Sequence, residues 1–170
     1  MRAIVAVAVC AAAPVLLASA ADAPKKMAHP APKAVTINAA DLVWGDAPPQ
    51  FPKGGQVAVL YGNPFKPGTY AMRFKMPDGY QIAPHWHTKD EQLTILSGTF
   101  VLHMGDTMDA PAHTLTAGGY HFLPGRMHHA AQAQGEVIVE IHGMGPFDIH
   151  YLNPADDPSA AAAAPAAAPK

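Results

Sequence analysis

Between Tyr70 and Met76 the chain alternates strictly: Tyr70, Met72, Phe74 and Met76 fall on one face of an extended segment, Arg73 and Lys75 on the other. Side chains of a strand project to opposite sides with period 2, so this pattern dictates a half-buried strand, apolar inwards and charged outwards. Runs of the same kind recur at 56–61, 99–105, 113–116, 120–124, 137–142 and 147–152. Glycine, proline or aspartate punctuates them, and no segment carries apolar residues at a convincing helical spacing. That combination predicts an all-β sandwich or barrel. Ser97-Gly98 is expected to turn the chain between two of the strands. In the run 137–142, Val137, Val139 and Ile141 share one face, and Ile138, Glu140 and His142 the other. No internal repeat is evident.

The ends of the chain do not belong to this pattern. Arg2, the apolar run Ile4 to Leu17 and the small residues Ala18-Ser19-Ala20 have the order of a secretory signal peptide over residues 1–20. The run is shorter than the roughly 20 apolar residues a membrane-spanning helix needs. The expectation is therefore a periplasmic or secreted protein with no membrane span after cleavage. The single cysteine, Cys10, lies within the leader, so the mature chain is left without disulfides or thiolate ligands. Residues 21–34 read as an Ala/Pro/Lys-rich linker, 35–154 as the folded domain and 155–170 as a disordered Ala/Pro-rich tail. Trp44 is expected to plug the core. With 11 basic and 13 acidic residues and no basic run along one face, nucleic acid is excluded as an expected partner.

The chemistry concentrates in the stretch from Gly79 to Gly98. His85 and His87, two residues apart, share one face of an extended chain at a spacing of roughly 6.5 Å, so two imidazoles can converge on one ion. Glu91 follows four residues later, past the polar Thr88-Lys89-Asp90, where the chain can turn and return a carboxylate to the same point. Imidazole nitrogens with a carboxylate oxygen suit a divalent transition metal: iron, manganese, nickel, copper or zinc. Gln81 has the parity of His85 and His87 and is a candidate beyond the ligands. His142, beside Glu140 on its face, either reaches the cavity or satisfies a local hydrogen bond. His103 is expected on the surface, and His113, His121 and His150 as structural or surface histidines.

The spacing Gly79-x5-His85-x-His87-x3-Glu91-x6-Gly98 resembles the first motif of the cupin superfamily at every defined position. The second cupin motif is matched only in part, by Gly118, Pro124, Gly125 and the pair His128-His129, with Arg126 where glycine is usual. Measured from Gly118 and Pro124 the family's histidine falls on His129; measured from Gly125 it falls on His128. The asparagine that follows in the family is absent. The resemblance, covering about 56–152, implies an antiparallel jelly-roll barrel holding one metal on His85, His87, Glu91 and His129, with His128 the alternative. It also implies a small organic substrate or ligand at the barrel mouth, dioxygenase-type chemistry or non-catalytic binding of metal or ligand, and dimers formed through the sheets.

Overall fold

The computed structural model describes residues 33–163, and the leader read over 1–20 and nearly all of the linker lie outside them. From Val35 onward nine strands form one curled antiparallel sheet: β1 (Gly45–Asp46), β2 (Gln56–Tyr61), β3 (Gly68–Met76), β4 (Gln81–Trp86), β5 (Glu91–Met104), β6 (Ala112–Thr116), β7 (Tyr120–Leu123), β8 (His129–Gly145) and β9 (His150–Tyr151). The order runs β1-β2-β3-β8-β4-β9, and β5 lies along β8 and carries β6 and β7. β8 is the spine. Its first half pairs with β4 and with the end of β5, and its second half with β3 and the start of β5.

Alternation builds the core as the sequence predicts. Tyr70, Met72, Phe74 and Met76 are buried on β3, and Arg73 and Lys75 lie on its outer face. Val137, Val139 and Ile141 face them from β8. On the outer face Arg73 Nε lies 2.8 Å from Glu140 Oε2. Trp44 is not a core plug: it is half-buried beneath Lys75, whose ammonium sits 4.4 Å from its ring centroid, and this cation–π contact replaces burial in the core.

The turn expected at Ser97-Gly98 is a bend inside a long strand. β5 runs unbroken through Ser97-Gly98, where its register with β8 slips by a bulge on either side of Ser97. Gly98 adopts φ +80°, and a side-chain carbon there would collide with the carbonyl of Glu136 on β8. The glycine lets the strand kink while its neighbour stays in contact. β8 likewise passes through Gly135 at φ +73°. Long bent strands close the sheet on itself and bring the halves of β8 over opposite sides of the core.

The segment read as a disordered tail begins with structure. Pro154–Asp156 forms a 3-10 turn, and Asp157 accepts from the Ser159 backbone and hydroxyl at the start of α1 (Pro158–Ala163). An Asx-type turn and alanines suffice for one short helix. No helix among the described residues is long and apolar enough to cross a membrane.

Gly98→Ala should lower stability by about 2 kcal/mol or more, because it combines a left-handed backbone with a clash against fixed backbone. Urea denaturation of the two proteins checks this, and an unchanged midpoint would show that the bend tolerates a side chain. Among the described residues Arg126 is the non-glycine residue with left-handed φ, 68°, and it stands where the cupin pattern has glycine. Arg126→Gly should be neutral or stabilising by up to about 1 kcal/mol in the same assay.

Candidate metal centre

His85 and His87 reach the core from β4 and from the residue just after it, but not by unbroken alternation. Ile82 pairs with Ala131 and His85 with His129, so three steps along β4 match two along β8. The bulge at Ala83-Pro84, where proline offers no N–H to the ladder, reverses the parity. Ile82, not Gln81, therefore shares the buried face with His85, and Gln81 is exposed. Gln81 is thus removed as a candidate for the site. His142 is removed too: it lies on the outer face, half-exposed, its Nε2 2.9 Å from Glu140 Oε1, so it makes the local hydrogen bond.

The structure brings His129 to the pair. His129 opens β8 directly opposite His85, is buried, and its ring centroid lies 4.2 Å from that of His85 and 5.2 Å from that of His87. One ligand nitrogen from each of His85, His87 and His129 falls within 4.8 Å of the other two. His128 points the other way, to Asp106 Oδ1 at 2.8 Å on the surface. Adjacent residues of an extended chain face opposite sides, so only one of the two can enter the barrel.

Each of these three imidazoles is held by a backbone carbonyl. His85 Nδ1 donates to Ala83 O at 2.7 Å, His87 Nδ1 to Asp148 O at 2.5 Å and His129 Nδ1 to Met127 O at 3.0 Å. A carbonyl only accepts, so the proton of each neutral ring sits on Nδ1 and the lone pair of Nε2 turns inwards. Outer hydrogen bonds of this kind fix metal-binding histidines in tautomer and orientation. The inward face holds Glu91, buried at the start of β5: Oε1 lies 3.5 Å from His87 Nε2 and Oε2 3.5 Å from His129 Nε2. Lone pairs aimed at a carboxylate repel it unless a cation lies between them, and His87 Nε2 has no hydrogen-bond partner. The three imidazoles could therefore form a metal site, with the Glu91 carboxylate beside it.

Without an ion, protons take part of that role. Burial, and then the neighbouring His129 and His87, hold His85 well below the ordinary imidazole value, and burial lowers His87 as well. Burial opposes ionisation of Glu91, but His87 and the imidazoles of His121 and His129 outweigh it and keep the carboxyl well below its usual range. At His129 burial is overcome by Glu91, and its affinity for a proton rises.

Around this polar point the cavity, about 30 Å³, is otherwise apolar, with Phe51, Phe74, Phe100 and Phe147 among its walls. Phe147 stacks on His87 with centroids 4.9 Å apart and on Phe51 at 6.2 Å. Asp148, whose carbonyl holds His87, is itself fixed: Oδ1 accepts from Thr88 N at 2.8 Å, and Oδ2 lies 3.2 Å from His150 Nε2. His150 stacks on Trp86 at 4.0 Å on the surface. His121 is not a surface histidine. It is buried on β7, and its Nε2 lies 3.5 Å from Glu91 Oε2. Sequence reasoning missed Phe147 and Asp148 as parts of the site and undervalued His121. The signal available for His121 was its place within the partial second motif, between Gly118 and Pro124; the pairing of its strand with that of Glu91 is a feature of the fold alone.

The model of a family described as a domain of unknown function, DUF4437, matches residues 10–150. No curated protein matches the chain. Among solved structures, the polyketide cyclase RemF from Streptomyces resistomycificus superposes with a TM-score of 0.63 at 14% identity, covering 78% of this chain and 95% of its own. A candidate acetylacetone dioxygenase from Methylibium petroleiphilum PM1 does so at 0.59 and 19% identity, covering 81% and 100%. An RmlC-like cupin from Shewanella frigidimarina gives 0.52 at 18% identity, covering 66% and 91%. These likenesses show the cupin fold expected from the first motif.

In metal-free protein, unfolding lets His85 and His87 regain the ordinary imidazole affinity and take up protons that the folded chain refuses. Their contribution to stability is therefore full above about pH 6.5 and is lost as pH falls below it, with His129 opposing in part. The urea midpoint of the metal-free protein should fall between pH 7 and pH 5. A midpoint that rises over that window would show that the folded site takes up protons more readily than the unfolded chain.

Proposed function

The chain belongs to the DUF4437 family, and we propose that it is a metal-dependent cupin enzyme holding one divalent transition ion on His85, His87, His129 and Glu91. The observation that carries this reading is the convergence of three imidazoles whose Nδ1 protons are committed to backbone carbonyls. Three nitrogens and one carboxylate oxygen leave two positions of an octahedral ion for water, dioxygen or a chelating substrate. When bound, the ion supplies Lewis acidity and, if redox-active, one-electron chemistry.

The chain's own residues narrow the substrate. Beyond the four candidate ligands every side chain lining the cavity is apolar, so no group there can pair with a charged substrate or satisfy a polyhydroxylated one. The reading is a small, uncharged organic molecule that offers one or two oxygens to the ion and an apolar body to Phe51, Phe100 and Phe147. A β-diketone of the acetylacetone type has this chemistry, which is why the dioxygenase-type reaction is favoured over the cyclase chemistry named for another barrel of this fold. The apolar walls exclude water from the reacting centre, and Phe147 keeps the His87 ring in its plane. The leader-like residues 1–20 support a periplasmic or secreted location.

One observation favours a second reading, a metal-holding module without turnover: a cavity of about 30 Å³ admits an ion with one or two waters but no organic molecule until Phe147 or Phe51 moves.

Metal analysis of the purified protein should find close to one transition ion per chain. Alanine at His85, His87 or His129 should each reduce it by tenfold or more, whereas His128→Ala should leave it unchanged; loss with His128→Ala alone would reverse the assignment. Metal affinity should fall on acidification below about pH 6.5, since each ligand imidazole must shed its proton. Dioxygen uptake by the iron-loaded protein with small β-diketones separates the two functional readings. Tight zinc with no uptake for any of them favours the module.

A further inference from the structure

His121 is the one buried imidazole in this region with no backbone partner. Neither of its ring nitrogens makes a hydrogen bond, although both are shielded from water. Buried polar atoms left without a partner are costly to a fold, so such a group points to something it serves. Its ring stands edge-on to Phe100, with centroids 6.0 Å apart and planes at 85°, and this contact fixes its direction. The register of β7 on β5 sets Leu123 opposite Glu91 and His121 opposite Leu93, so His121 sits diagonally beside the carboxylate on the same inner face. Its Nε2 lies 3.5 Å from Glu91 Oε2.

Three imidazoles thus surround Glu91, and they do not present the same atom. His87 and His129 turn lone pairs towards it, because their protons are committed elsewhere. His121 has no such commitment, and a carboxylate oxygen accepts, so the stable arrangement places its proton on Nε2, facing Oε2. Closing the gap from 3.5 Å to hydrogen-bond length needs a shift of about half an ångström.

We propose that His121 is a positioning residue that donates to Glu91 Oε2, so that Glu91 approaches a metal held by His85, His87 and His129 through Oε1 alone and a coordination position stays open. The inference rests on the metal reading given above. His121 and Glu91 both lie outside the group formed by His85, His87 and His129; Glu91 faces two of those imidazoles directly, whereas His121 meets the group only through Glu91. Without the donor, both carboxylate oxygens are free to face the ion, and Glu91 can close the position that a substrate needs.

Co²⁺ binding, followed by its visible d–d absorption, provides a test that needs no activity. His121→Phe should weaken Co²⁺ binding by about tenfold, in the range seen when outer hydrogen-bond partners of metal ligands are lost, and should change the spectrum in the direction of a higher coordination number. His121→Asn, which keeps a donor, should restore most of both. The decisive comparison is made in Glu91→Gln: there His121→Phe should add less than about twofold, because the residue it acts through has been removed. His121→Leu provides the apolar comparison if the phenylalanine variant does not fold. A wild-type spectrum and affinity in the apolar variant, or an undiminished effect in the Glu91→Gln background, would overturn the role of His121 and leave the metal reading intact. Failure of the wild-type protein to bind Co²⁺ would overturn both.

Discussion

Three backbone carbonyls, those of Ala83, Asp148 and Met127, hold the buried imidazoles of His85, His87 and His129 by their Nδ1 protons, and the barrel is arranged to supply them. Each carbonyl comes from an irregular place in the fold: the bulge in β4, the loop after β8 and the turn before it. Regular ladder positions spend their carbonyls on neighbouring strands and have none to spare. The centre therefore depends on interruptions of the sheet as much as on the sheet. What the regular part supplies is rigidity, because β8 is flanked by β3, β4 and β5 and positions His129 against His85 by direct pairing.

A buried carboxylate facing two lone pairs would be unstable in a hydrocarbon interior, yet Glu91 sits among Phe51, Phe74 and Phe100. A cation, proton or metal, resolves the conflict. The same apolar walls that raise the cost of leaving the site empty strengthen every interaction within it, since the effective dielectric is low. Stability and chemistry thus draw on one arrangement, and Phe147, stacked on His87, belongs to both.

Much of this was legible in the residues. Alternation gave β3 and its inward face residue by residue, and motif spacing brought out His85, His87 and Glu91 before any geometry was available. The pair His128-His129 was narrowed by two anchors of the partial second motif, Gly118 and Pro124. Gln81 shows where the reading fails: parity counting assumes an unbroken ladder, and a bulge is a two-residue event that Ala83-Pro84 announces only weakly. Ser97-Gly98 reads as a turn and not as a bend within one strand for a related reason, because glycine marks both. His121, Phe147 and Asp148 meet the centre only through contacts across the fold, and no local pattern reports those.

The bulge at Ala83-Pro84 works as a phase shifter. On its upstream side odd-numbered residues face solvent; on its downstream side odd-numbered residues face the cavity. Removing one of the two bulge positions would leave Ile82 and His85 two residues apart in a regular ladder, both still inward, so the histidine pair keeps its direction with or without the bulge. The stretch upstream of His85 is therefore tolerant of a one-residue change in length, whereas an insertion between His85 and His87 would turn one imidazole out of the barrel.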